Sequence, residues 1–239
     1  MIVNNKMAFF SDALGHSALT GIAIGTLFGI ANNNVAMIIF AIVFAILLNI
    51  VKSKNVSSAD TIISVFSSVA IAVGLAVLSK SGNFNKYSGF LIGDILSITR
   101  REIVYLFLIA IIVVIFWINN FNKLNGISIN KTLARSKGIN VDFVDNVFVV
   151  IIAIVVMISI RWIGILLINS LLILPAASSR NISKSIRQYT IFSMIFALFS
   201  GISGLIISYY NIVPTGPMIV IISGCIYFIT FILREKIKK

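Results

Sequence analysis

This chain predicts an all-α fold, a polytopic bundle of about eight transmembrane helices, on three observations. Hydrophobic residues make up 59% of its 239 positions and charged residues only 11%, with a mean hydropathy of +1.08, which leaves too little polar surface to cover a water-soluble domain. The apolar residues come in long runs. Glu102 and Lys123 bracket twenty uncharged residues, and Arg187 and Arg234 bracket an uncharged stretch long enough to cross twice, at roughly 20 residues per 30 Å of hydrocarbon. Finally, the net charge of +12 is carried by bases that fall between the runs rather than on one soluble face. That is a positive-inside pattern and argues against nucleic acid as a partner.

In order, the runs are Met7–Ala31, Asn34–Val51, Ala59–Ser79, Glu102–Asn119, Phe143–Ile160, Trp162–Ala177, Tyr189–Tyr210 and Pro214–Leu233. With the basic tail Arg234 to Lys239 placed in the cytoplasm, counting back puts three more basic clusters on the same side: Arg180 to Arg187, Lys123 to Lys137, and Lys52 with Lys54. The uncharged joins at Asn32 to Asn34 and Asn211 to Gly216 then fall outside. The loop with Lys80, Lys86, Arg100 and Arg101 also falls outside and breaks the rule. Between the third and fourth runs, Asn83 to Thr99 is too short and polar for a span and reads as a short interfacial or re-entrant helix. Its Asp94 is either a site residue or a solvated capping aspartate. Pro175 is expected to end or kink the sixth run.

The first run holds the most informative pattern. Ser17, Gly21, Gly25 and Gly29 recur every four residues, making a seam of small side chains along which a second helix can approach closely. Beside it lie Asp12 and His16, the only histidine of the chain, again four apart and on one helical face. A carboxylate and an imidazole at that spacing can bind one divalent transition metal, or can simply hydrogen-bond to each other. Ionisable groups inside a membrane mark pathways more often than scaffolding.

Enzyme signatures are missing. The sequence holds no G-x-x-x-x-G-K-[ST] phosphate loop, no H-E-x-x-H and no G-x-S-x-G. Cys225 is the lone cysteine, which excludes an internal disulfide and a cysteine-rich metal site.

Ser11 to Gly25, SDALGHSALTGIAIG, resembles the aspartate–histidine signature of the membrane permeases of zinc- and manganese-type ABC importers. The likeness continues through Ala59 to Phe66, Gly89 to Thr99, Trp162 to Arg180 with its proline-alanine-alanine turn, and Thr215 to Ile229. It thus covers nearly the whole chain in the family's order. Such permeases usually have one more helix ahead of the aspartate–histidine segment, so the family's first helix is expected to be missing here.

The resemblance implies a single transmembrane permease domain over 1–239 with the fold of type II ABC importers, in a bacterial cytoplasmic membrane, with a cytoplasmic C-terminus. It implies a homodimer with a second permease copy, a cytoplasmic ATP-binding subunit and an extracytoplasmic metal-binding protein. The transported substrate would be a divalent cation (Zn²⁺, Mn²⁺ or Fe²⁺), with no permanently bound cofactor and no catalysis on this chain. Asp12 and His16 would be metal ligands. Asp60 would be a further pathway carboxylate, or else only an N-cap of its helix. Segment 120–142 would be a cytoplasmic coupling loop. Within it, a short helical turn at Leu133 to Lys137 ended by Gly138 resembles the coupling helix of related chelate permeases, with Leu133, Ala134, Arg135 and Gly138 as ATPase-docking residues, although Arg135 also reads as ordinary positive-inside charge. Two other readings stay open: a permease for a metal chelate or corrinoid, and a standalone channel or ion-coupled carrier.

Overall fold

The computed structural model describes residues 2–5, 7–30, 32–54, 58–80, 93 and 98–237. Among them are nine helices and no strand: α1 (Ala8–Leu27), α2 (Asn33–Lys54), α3 (Ala59–Lys80), α4 (Arg100–Ile129), α5 (Lys131–Ser136), α6 (Val141–Ile163), α7 (Ile165–Ile182), α8 (Ile186–Asn211) and α9 (Thr215–Ile237). Each of the eight predicted runs falls on one of the long helices. Six of these, all but α1 and α7, are long and apolar enough to cross a membrane by length and composition alone. Asp12, His16 and the glycines, serines and threonines dilute α1, whereas α7 is short and carries Asn169, Pro175 and Arg180. Asp94 and most of Asn83 to Thr99 lie outside the described residues.

Helix ends follow local chemistry. Thr99 and Glu102 form a capping box at α4, with Glu102 Oε2 accepting from the Thr99 N–H at 2.8 Å. Asn130 caps α5 by accepting from the N–H groups of Thr132 and Leu133 at 2.9 and 3.1 Å. Asn140 caps α6 and Ser185 caps α8 in the same way. Two expectations change. Helix α4 runs ten residues past Asn119, since leaving the apolar core removes no backbone hydrogen bond and no proline intervenes; residues 120–129 are therefore helix. Helix α7 continues through Pro175 to Ile182 instead of ending near it.

The core gathers around α1. Thirteen of its twenty residues are buried, and it packs against α2, α3, α6 and α7. Lipid is as apolar as leucine, so helices here associate through close backbone approach rather than through hydrophobic burial. The small-residue seam does this work against α2: a Cβ at Gly21 would lie 3.0 Å from Met37 Cα, and one at Gly25 would collide with Ala36 Cβ. On another side Thr20 donates its hydroxyl hydrogen to the Ala70 carbonyl of α3. Helices α7, α8 and α9 pack together as a second group, joined to α1 through α7. The outward faces of α4 and α8, with Phe107, Leu108, Ile112, Leu198, Phe199 and Ile202, are exposed apolar surface suited to acyl chains.

Candidate metal site

Asp12 and His16 project from the second and third turns of α1, on the face that meets α7. The helix brings them together by its own geometry: His16 Nε2 lies 3.5 Å from Asp12 Oδ1. Both remain partly open, with 44% of the Asp12 side chain and 30% of the His16 side chain accessible. The bundle then adds a group from far along the chain. Asn169, in the second turn of α7, donates Nδ2–H to Asp12 Oδ1 at 2.7 Å. Its own Oδ1 is buried and has no hydrogen-bond partner, a cost of about 1–3 kcal/mol when nothing fills the position.

Two glycines make this meeting possible. Gly164, at φ +81°, ends α6 and starts α7, a backbone shape that a residue with a Cβ adopts only under strain. Gly15, one residue before His16, lets α7 come close: a Cβ there would lie 2.7 Å from Ile165 Cγ2 and 3.7 Å from both Asn169 amide atoms.

Asp60 is not brought into this cluster. It is exposed in the first turn of α3, and the cap of that helix is Ser58, whose Oγ accepts from the Thr61 N–H at 3.2 Å. Among the described residues no group of three His, Cys, Asp or Glu side chains gathers into a metal site. Asn169 is the polar side chain beside Asp12 that sequence reading missed. An asparagine in an apolar run carries no periodic signal, so nothing in the spacing of residues singled it out.

The short helix expected at Leu133 forms as α5, and Gly138 at φ +77° closes it. Of its four candidate residues, Leu133 is half exposed and Ala134 is buried. Arg135 grips Asp142 through both carboxylate oxygens, Nη2 to Oδ1 at 3.0 Å and to Oδ2 at 3.2 Å. Lys131 Nζ meets the buried Asp145 Oδ2 at 2.6 Å. Helix α5 is thus tied to the first turns of α6, and next to this joint Asn49 of α2 donates to Asn146 of α6 at 2.8 Å.

Fold and site together define an integral membrane protein of several helical spans with an ionisable site inside its bundle. The chain belongs to the ABC 3 transport family, whose profile matches residues 1–234. Membership makes it the membrane component of a transport system whose ATP hydrolysis lies on another subunit. It is 29% identical to the high-affinity zinc uptake system membrane protein ZnuB of Haemophilus influenzae over 99% of this chain and 90% of that one. To the manganese transport system membrane protein MntC of Listeria monocytogenes it is 26% identical, over 98% of this chain and 84% of that one. Among solved structures, PsaBC from Streptococcus pneumoniae in complex with Fab superposes with a TM-score of 0.81 at 24% identity, over 96% of this chain and 83% of the other, a likeness of fold.

Proposed function

We propose that this chain is the permease subunit of an ABC importer for a divalent transition-metal cation, Zn²⁺, Mn²⁺ or Fe²⁺, and that Asp12 and His16 are its transient ligands. The observation that carries the reading is the ionisable pair on the most buried helix, partly open and resting against partners without fixed charge. A carboxylate and one imidazole suit a borderline cation better than an organic solute. The zinc and manganese systems named for its relatives support the same substrate class.

In this reading two copies of the permease enclose the pathway, an extracytoplasmic binding protein delivers the metal, and a cytoplasmic ATPase pair drives alternating access. The C-terminus is cytoplasmic. Asp60, apart from the pair, is a second carboxylate along the route. Segment 120–142 is the cytoplasmic coupling region within one permease domain spanning residues 1–239. There α5 docks into the ATPase, with Leu133 as the projecting contact, Ala134 as its packed base and Gly138 as its stop. Arg135, engaged by Asp142, holds the orientation of α5.

Metal uptake into proteoliposomes that also hold the ATPase and the binding protein tests the reading. Asp12→Ala and His16→Ala are each expected to abolish uptake, with the double variant scarcely worse than either single one, because one bound cation needs both ligands. Assembly with the ATPase should persist. Wild-type uptake by both purified single variants would sink the assignment.

A further inference from the structure

Asp12 dictates how the Asn169 amide sits. A carboxylate oxygen accepts but cannot donate, so the amide must present its nitrogen there, and the 2.7 Å contact is a nitrogen contact. The amide oxygen is thereby turned the other way, into a buried position with no hydrogen-bond partner. The amide lies over Gly15, with both its polar atoms equidistant from where a Cβ would be. Gly15 is flanked on the same helical face by Asp12 and His16, so the Asn169 amide packs against the face of α1 that carries both candidate ligands.

We propose that Asn169 is the third ligand of this site and sets its metal selectivity, giving its side-chain carbonyl oxygen to a divalent cation. The proposal rests on the reading of Asp12 and His16 as ligands. Asn169 Nδ2–H keeps Asp12 Oδ1 engaged, so Asp12 binds through Oδ2, His16 through a ring nitrogen and Asn169 through Oδ1. This is a set of two oxygens and one nitrogen. Carbonyl and carboxylate oxygens suit hard cations such as Mn²⁺, whereas added imidazole favours Zn²⁺. A neutral third ligand also leaves the bound cation one net positive charge beside Asp12. A transport site needs binding of that kind, favourable enough for entry and weak enough for release.

The full-length protein assembled with its ATPase in nanodiscs can be titrated with Co²⁺, whose visible absorption reports its ligands, and then competed with Mn²⁺ and Zn²⁺. The wild-type protein should give a Co²⁺ spectrum that is lost in Asp12→Ala. Asn169→His should intensify that spectrum and raise the preference for Zn²⁺ over Mn²⁺ by about tenfold, and Asn169→Ala should weaken Mn²⁺ by about tenfold and Zn²⁺ by less. Asn169→Asp keeps the side-chain shape and adds charge, so it should tighten Mn²⁺ and slow its release; it decides the matter where the histidine variant fails to fold. Unchanged spectra and metal preference in the folded Asn169 variants would overturn the third-ligand assignment while leaving Asp12 and His16 standing. Equal weakening of every metal by Asn169→Asp would reduce Asn169 to a positioning residue and overturn it too. Absence of a Co²⁺ spectrum in the wild-type protein would overturn both readings.

Discussion

At the α5 end of the bundle Lys131 meets Asp145 at 2.6 Å and Arg135 holds both oxygens of Asp142, whereas between α1 and α7 Asp12 has an amide N–H at 2.7 Å and an imidazole at 3.5 Å. In the first region each carboxylate is matched by a fixed positive charge, and the result is a joint that keeps α5 in register with α6. In the second the carboxylate rests on groups without fixed charge, and an acceptor on its neighbour is unused. Satisfied polar groups give rigidity; a site that must take up and release an ion has to keep some of its capacity unspent. On the proposed reading of Asp12 as a transient ligand, the contrast separates a structural from a binding use of aspartate.

Sterics perturb the contact of α1 with α7, and charge removal perturbs the joint of α5 with α6. Gly15→Leu should have the largest effect, because its side chain would enter the space of Ile165 and of the Asn169 amide. Separating α1 from α7 should cost roughly 1–3 kcal/mol and reduce metal uptake more than tenfold. Thermal unfolding in detergent and uptake in proteoliposomes measure the two effects, and an unchanged melting temperature with normal uptake would show that α1 and α7 do not depend on this contact.

Asp145→Ala should come next. The aspartate is buried but its lysine is about half exposed, so the loss should lie between the values for exposed and buried pairs, about 1–2 kcal/mol. It should loosen α5 and lower the metal moved per ATP hydrolysed without altering Co²⁺ binding at Asp12. A change in Co²⁺ binding would mean that the two regions are coupled more tightly than their separate construction implies. Asp142→Ala should be the mildest. Its pair with Arg135 is mostly exposed, is worth under about 1 kcal/mol, and should matter less as salt is raised. A stability loss equal to that of Asp145→Ala would contradict this ranking.

Much of this protein is written locally in its sequence. The long apolar runs became helices because a backbone in hydrocarbon must satisfy its own hydrogen bonds. Thr99 with Glu102 marks the start of α4, Asn130 the start of α5, and Gly138 its end, through bonds only two or three residues long. The four-residue spacings of Asp12 with His16 and of Gly21 with Gly25 are likewise properties of a single helix. What lies opposite those faces was decided only by the packing. That the glycine seam receives α2, that Asp12 is answered by Asn169 rather than joined by Asp60, and that Lys131 selects Asp145 while Arg135 takes Asp142 are outcomes of tertiary structure. The physical reason is that a helix sets the relative positions of its own side chains within a few residues. Which distant side chain stands against them depends on how closely whole helices can approach, and that was set here by glycines at Gly15 and Gly164.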